Sequence, residues 1–229
     1  MDYNTIRNID IFKGLEGSQL KEIGEKCRWN YYTADSHIIE QKTNNTDVFF
    51  IIKGCVRVVT YSIGGREIIL REIKSGGHFG ELGAIDELPS IAWVVALRAC
   101  ELAIMDQINF LNLLNSTPLI SLRLLKDYTF QTRFLTERIV ELSTVAANNR
   151  VHLELLRRAR DNMVSEISAD INPIPLHSEI ANCINTTRET VSRVMNNLVR
   201  RGLVERRKDS IFINDVNSLN SLIYNNLKN

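Results

Sequence analysis

At 229 residues the chain has room for two compact domains of ordinary size, or for one large one. An apolar share of 44% and a charged share of 24% exclude a fibre or a disordered chain, and the longest apolar runs, such as Val48–Ile52, are far too short to cross a bilayer. Net charge is only +1, but it is unevenly divided: residues 150–229 carry 12 Lys and Arg against 9 Asp and Glu, the rest 16 against 18, which inclines the C-terminal third toward phosphate. No basic segment leads into an apolar stretch at the start, so no export signal is read and a cytoplasmic protein with no membrane partner is expected. Cys27, Cys55, Cys100 and Cys183 lack metal-ligand spacing and read as buried reduced thiols.

The first section, to about Asp106, opens with a short amphipathic helix. Ser18 suits its cap, and Leu20, Ile23 and Cys27 recur at helical spacing. The period then changes to two. Val48–Ile52, Cys55–Val59, Glu67–Ile73, Ile91–Ala96 and Cys100–Met105 are short β-branched or apolar runs. Turn signals separate them: Lys53-Gly54, Gly64-Gly65, Ser75-Gly76-Gly77 and Leu88-Pro89-Ser90. Short strands with glycine turns and no intervening helix predict an antiparallel barrel, sandwich or jelly roll, with a first domain over 1–115.

The second section, 116–148, begins at Ser116-Thr117-Pro118, a hydroxyl cap followed by proline at the first helical position. Leu125, Tyr128, Thr132, Leu135, Ile139, Leu142 and Ala146 then fall at alternating spacings of three and four, a heptad seam. Such a seam suits either a homodimer or packing on the chain's own β domain. The charged flanks (Arg123, Lys126, Arg133, Glu137, Arg138, Glu141) and the length of the helix favour the dimer. Asn148-Asn149 reads as a hinge before a second helix over Arg150–Arg160.

The third section, 149–229, reads as short helices followed by two strands, Leu203–Glu205 and Ile211–Ile213. They flank a basic turn containing Arg206, Arg207 and Lys208, the pattern of a winged helix-turn-helix. Ser178–Met195 is its informative core. Ala181 is the small residue that lets two helices cross closely, and four residues later Asn185 tolerates the left-handed turn. Ile180, Ile184, Val191 and Val194 fall where the helices share a core. Thr186 or Thr187 caps the second helix. Arg188, Glu189, Ser192 and Arg193 then project from one side near its N-terminus, the part of a recognition helix that approaches base edges. Arginine can grip guanine O6 and N7, glutamate can accept from cytosine N4, and Thr190 can reach a phosphate or a base edge. Alternatively, Glu189 forms a capping box with Thr186. The wing residues Arg206, Arg207 and Lys208 are expected to meet phosphate.

Two blocks carry a family resemblance: Phe-Gly-Glu-Leu-Gly at Phe79–Gly83 with Ala-Trp-Val-Val-Ala at Ala92–Ala96, and Thr-Arg-Glu-Thr-Val-Ser-Arg at Thr187–Arg193. With these blocks the chain resembles the cAMP receptor protein and fumarate–nitrate regulator (Crp/Fnr) superfamily over nearly its whole length. The resemblance implies an α+β fold: a cyclic-nucleotide-binding-like β-roll, a long dimerisation helix and a C-terminal winged helix-turn-helix. It further implies a homodimeric transcription regulator on a palindromic double-stranded DNA operator of TGTGA type, read by Arg188, Glu189 and Arg193, with RNA polymerase as a partner. In the roll it places Gly80, Glu81 and Leu82 at the ribose and phosphate of a cyclic nucleotide, and the adenine contacts at Leu135 and Thr136. The chain departs from the pattern where an arginine normally neutralises the phosphate: Ser90 and Ile91 stand there instead. Loss of such a charge-assisted pair is worth roughly 1.5–3 kcal/mol, about tenfold or more in affinity. The expectation is therefore cAMP binding at a weakened phosphate site, another small effector, or constitutive DNA binding.

Cys27 alone before the roll cannot hold the iron–sulfur cluster of some members. His78 is the one suggestive haem ligand, and reads better as an ordinary loop residue. The rival class is a cupin-like metal enzyme, which needs converging histidines. The four histidines are His37, His78, His152 and His177, two of them beyond the roll and none in a His-x-His pair, so neither a catalytic nor a metal site is expected.

Overall fold

A computed structural model describes residues 3–226 and divides the chain into two compact units, with the division between Thr132 and Arg133. In the first unit, two short 3-10 turns (Tyr3–Asn8, Asp10–Phe12) precede helix α1 (Gly17–Glu25). Strands β1 (Arg28–Tyr32), β2 (His37–Ile39), β3 (Val48–Lys53), β4 (Cys55–Tyr61), β5 (Glu67–Lys74) and β6 (His78–Phe79) follow. Then come α2 (Glu81–Asp86), β7 (Trp93–Ala96), β8 (Cys100–Met105), α3 (Gln107–Ser116) and the start of α4 (Pro118–Thr144).

The strands form two four-stranded antiparallel sheets, in the orders β1-β8-β3-β6 and β2-β7-β4-β5. One apolar cluster joins the two sheets through Ile39, Phe49, Ile51, Val56, Val94 and Leu102. A second combines the alternate residues of β3 and β8 with the helices, through Phe12, Leu20, Phe50, Met105, Phe110 and Leu124. Strand β3 is therefore covered on both faces, and every residue from Val48 to Ile52 is buried. That is why this stretch is a continuous apolar run rather than an alternating one. The predicted strands are present, lengthened or trimmed by a residue or two at their ends. Three others, β1, β2 and β6, were not expected. All three are edge strands of only two to five residues, too short to show an alternating pattern.

Local chemistry corrects some boundaries. Helix α1 is capped by Glu16, not Ser18: Glu16 and Gln19 form a reciprocal capping box, with the Glu16 amide donating to Gln19 Oε1 at 3.0 Å. Cys27 falls just beyond this helix, half-buried, and burial, then the Asp106 charge, pushes its pKa up to about 12. All four cysteines are free, Cys55 and Cys100 fully buried, Cys27 and Cys183 partly. Helix α3 was also unforeseen; the Asp106 carboxylate caps it by accepting from the Asn109 amide at 2.9 Å. Proline 118 does open α4. The helix breaks at Val145-Ala146, however, and Asn148 and Asn149 lie inside α5 (Ala147–Arg160), Asn149 buried, so the pair is not a hinge. The Arg150 guanidinium donates to the Val145 carbonyl at 2.7 Å, satisfying an acceptor freed at the break.

The second unit continues with β9 (Ala169–Ile171), α6 (His177–Cys183), α7 (Arg188–Arg200), β10 (Val204–Arg206), β11 (Ile211–Ile213) and α8 (Val216–Asn226). The predicted hairpin is β10–β11, and β9 adds an unforeseen third strand in the order β10-β11-β9. One core runs through Leu155, Ile171, Ile180, Val191, Met195, Leu198, Val204, Ile213 and Leu219. Beside it, Arg138 and Arg157 bracket the carboxylates of Glu141 and Glu154. Among the described residues no helix is long and apolar enough to cross a membrane.

His152 on α5 is buried, and burial, reinforced by the charge of Arg201, lowers its pKa to about 4. Its folded value lies below the unfolded one, near 6.5, so the unfolded chain binds the proton more readily. The stabilisation is complete above about pH 6.5 and is lost as pH falls toward 4, a change of about 3 kcal/mol. Urea melts of the wild type should show this slope, and His152→Leu should flatten it. An equal slope in the variant would mean that other groups titrate.

Candidate nucleic-acid interface and effector pocket

Helices α6 and α7 meet through a tight turn. Ala181 and Ile184 are buried, the Thr186 amide donates to the Ala181 carbonyl at 3.0 Å, and Asn185 has φ +49°. Thr187, not Thr186, caps α7: its hydroxyl accepts from the Thr190 amide at 3.2 Å, while Thr186 is buried. Glu189 therefore sits one position too early for a capping box with that cap, which removes the alternative reading of this residue. Its carboxylate is held below the usual range, first by its own main-chain amide and then by the Thr187 hydroxyl.

Burial of Val191, Val194, Met195 and Leu198 turns the opposite side of α7 outward. Arg188, Glu189, Ser192 and Arg193 share that side and line a shallow groove of about 730 Å³, together with Asn196 and Arg200. The last two were not singled out from the sequence, although the four-residue steps from Ser192 to Asn196 to Arg200 mark one face. Thr190 is half-buried, its hydroxyl 3.2 Å from that of Thr187. Arg193 reaches back to Asn148 at 3.4 Å. On the wing, Arg206 donates to Asn196 at 2.8 Å. Arg207 lies 3.7 Å over the Phe212 ring and pairs with Asp170, while Lys208 is exposed.

In the roll, Gly80 turns the chain from β6 into α2 with φ +90°, and a side chain there would meet the Asp47 carbonyl at 2.4 Å. Gly83 packs against the Asn45 carbonyl, which a Cβ would approach to 2.2 Å. Both glycines of the Phe79–Gly83 block are thus set by close backbone approach, and they fix the path of Glu81 between them. Glu81 is buried, and Leu82 is largely exposed. Around Glu81 gather Arg71 of β5, His78 of β6, and Asp127 and Tyr128 of α4. His78 is not a loop residue: it is buried on β6, paired with Phe50 of β3. Ser90 is half-buried, tied through its main chain to Thr43 and Lys42, and Ile91 is exposed. Leu135 and Thr136 lie in the second unit, both exposed. Among the described residues no three His, Cys, Asp or Glu side chains gather as metal ligands would.

The cyclic nucleotide-binding domain family matches residues 29–117, and the Crp-like helix-turn-helix domain family matches residues 149–222. The chain is 30% identical over 187 residues to the cAMP-activated global transcriptional regulator Vfr of Pseudomonas aeruginosa, covering 78% of this chain and 85% of Vfr. It belongs to the Crp/Fnr family of transcription regulators. The cAMP-activated global transcriptional regulator CRP of Salmonella typhimurium is 28% identical over 190 residues, covering 82% of this chain and 90% of CRP. CooA of Carboxydothermus hydrogenoformans shares the fold, with a TM-score of 0.77 at 22% identity over 88% of this chain and 89% of CooA.

In this Crp/Fnr regulator α6 and α7 are the DNA-binding helix-turn-helix, and β10–β11 is its wing. Residues not singled out from the sequence are Asn196 and Arg200 on the outer face of α7, and Arg71 and Asp127, whose charges act on the buried polar groups near Glu81. Nothing in the spacing of Arg71 flagged it, because its neighbours come from distant parts of the chain.

The left-handed turn at Asn185 is the local constraint on α7. Asn185→Val places a β-branched residue in that conformation and should destabilise the protein by roughly 1–3 kcal/mol. Asn185→Gly should stay close to wild type. Equal urea midpoints for all three proteins would show that the turn bears no strain.

Proposed function

We propose that the chain is a homodimeric, sequence-specific regulator of transcription, acting in the cytoplasm on a twofold operator and controlled by a small effector in the β-roll. In this reading 1–115 is the sensor domain, 116–148 the dimerisation helix and 149–229 the DNA-binding domain. The observation that carries it is the exposed polar face of α7, with Arg188, Glu189, Ser192 and Arg193 together on one groove. Arg188 and Arg193 are suited to guanine and Glu189 to cytosine, which supports a TGTGA-like half-site. The wing contributes Lys208, and less directly Arg206 and Arg207, to phosphate contact. RNA polymerase is the partner through which such a dimer would act. Regulation rather than catalysis is the reading that fits relatives that are transcription regulators.

The dimer is supported by α4. Leu125, Leu135 and Ile139 are 61%, 51% and 65% exposed in the single chain, and Leu142 is also exposed. A row of apolar side chains left uncovered at heptad spacing suits a second copy of the same helix. Thr132 is exposed in that row. Tyr128 differs: it packs against the chain's own roll core, so it belongs to the intramolecular face. The names of the cAMP-activated relatives support a small effector, with Glu81 as the buried acceptor for it.

Selection from a random duplex pool, with and without cAMP, should recover twofold sites with TGTGA-like halves. Failure to enrich any sequence would defeat the reading. Arg188→Ala or Arg193→Ala should weaken specific binding by about 1–3 kcal/mol while sparing most non-specific affinity, and equal footprints on the selected site would reject the base-reading role. Leu135→Glu should yield monomers in sedimentation; a dimer persisting at nanomolar concentration would place the contact elsewhere.

A further inference from the structure

The wing and α7 meet at a polar contact whose hydrogen-bonding capacity is only half used. Side chains alternate along a strand, so Val204 and Arg206 of β10 share a side. Val204 is buried in the core with Leu198 of α7, and Arg206, two residues on, is exposed beyond the edge of that core. Its backbone is held by register with Ile211 of β11 and by the Arg207 amide donating to the Ser210 carbonyl at 3.0 Å. From there Nη2 of Arg206 donates to Oδ1 of Asn196 at 2.8 Å. Arg207 beside it is committed elsewhere, to Asp170 and the Phe212 ring. A guanidinium can only donate, so the amide atom facing it must be the oxygen. The Asn196 amide is thereby oriented. Its oxygen turns to the wing, and its Nδ2 group, with two N–H donors, has no partner among the described residues. Asn196 is exposed and lines the groove with Arg188, Glu189, Ser192 and Arg193.

We propose that Asn196 is a further base-reading residue of α7, and that Arg206 positions it to present donors alone. This rests on the reading of α7 as the recognition helix and adds one specified base pair to each half-site. An unrestrained asparagine amide shows an acceptor beside a donor, the pair that matches adenine N6 and N7. With Oδ1 held by Arg206, only the donors face the groove. They match guanine, which has acceptors at N7 and O6, and thymine, which has O4. Adenine matches less well because its N6 donor stands beside N7, and cytosine presents a donor only. Asn196 follows Arg193 by three residues, about 4.5 Å along the helix axis. That exceeds the roughly 3.4 Å step between base pairs. Asn196 therefore meets a base pair next to those assigned to Arg188, Glu189 and Arg193. Arg206 acts through Asn196, unlike Lys208, which is exposed on the wing turn for phosphate.

Competition binding on the full chain tests this, with the operator selected from random duplexes and its single-base variants flanking the TGTGA-like core. The wild type should favour guanine or thymine over cytosine at one flanking position of each half-site, by about threefold or more. Asn196→Ala should flatten that preference and leave the core preferences in place. Asn197→Ala, exposed on the same turn but outside the groove, should change neither. Arg206→Ala frees Oδ1 and should move the flanking preference toward adenine, although Arg206 itself touches no base. Arg206→Lys keeps a donor toward Asn196 and should restore the wild-type order. If Arg206→Ala instead loses affinity uniformly, with base preferences unchanged and a shallower salt dependence, Arg206 is a phosphate contact and the positioning role is overturned. Identical preferences in the wild type and Asn196→Ala overturn the base-reading role while leaving the core half-site intact. Enrichment of no sequence at all brings down the operator reading, and this inference with it.

Discussion

The contact on which the DNA-binding unit depends is the burial of one face of α7. Val191, Val194, Met195 and Leu198 pack into a core shared with α5, α6, the wing and α8. Each such side chain contributes roughly 1.5–3 kcal/mol by leaving water. Because the helix repeats every 3.6 residues, fixing that face also fixes the other. Arg188, Glu189, Ser192, Arg193, Asn196 and Arg200 are presented together because they have no other direction to point. The polar face on the outside is thus a consequence of packing on the inside. The turn at Asn185 and the small Ala181 set how closely α6 can support this arrangement.

The roll solves a different problem. Its two sheets share one core, and its helices cover the outer face of β3 and β8, so Val48–Ile52 and Leu102–Met105 are apolar and buried throughout and form its centre. Buried polar side chains sit at the margin instead, His78 on the edge strand β6 and Glu81 at the start of the short α2. Gly80 and Gly83 are required there by neighbouring carbonyls, and Glu81 is carried to its buried position by the backbone they allow. The position of Glu81 is therefore set by chain geometry before any side-chain chemistry enters.

Helix α4 divides its apolar residues between two tasks. Ile120, Leu124 and Tyr128 pack on the roll, while Leu125, Leu135, Ile139 and Leu142 stay exposed. A single heptad pattern in the sequence conceals that division, since both faces contribute apolar residues at spacings of three and four. Arg138, Glu141, Glu154 and Arg157 are held together partly buried where α4 lies against α5, which places charge at the helix break rather than along the exposed seam.

What the amino-acid order determined by itself is what short-range physics controls. Interior strands declared themselves by apolar runs, the α6–α7 unit by Ala181, Asn185 and four apolar positions in register, and α4 by Pro118. Strands β1, β2 and β6 stayed hidden because runs of two to five residues show no clear period, and Ser18 lies inside α1 because the Glu16–Gln19 capping box starts the helix at Gly17. The position of the helix break, the burial of His78 and the meeting of Arg71 with Glu81, Asp127 and Tyr128 were decided only in three dimensions. Each depends on pairing between segments tens of residues apart, and the energy that fixes such pairings comes from the packed whole, not from any local run of residues.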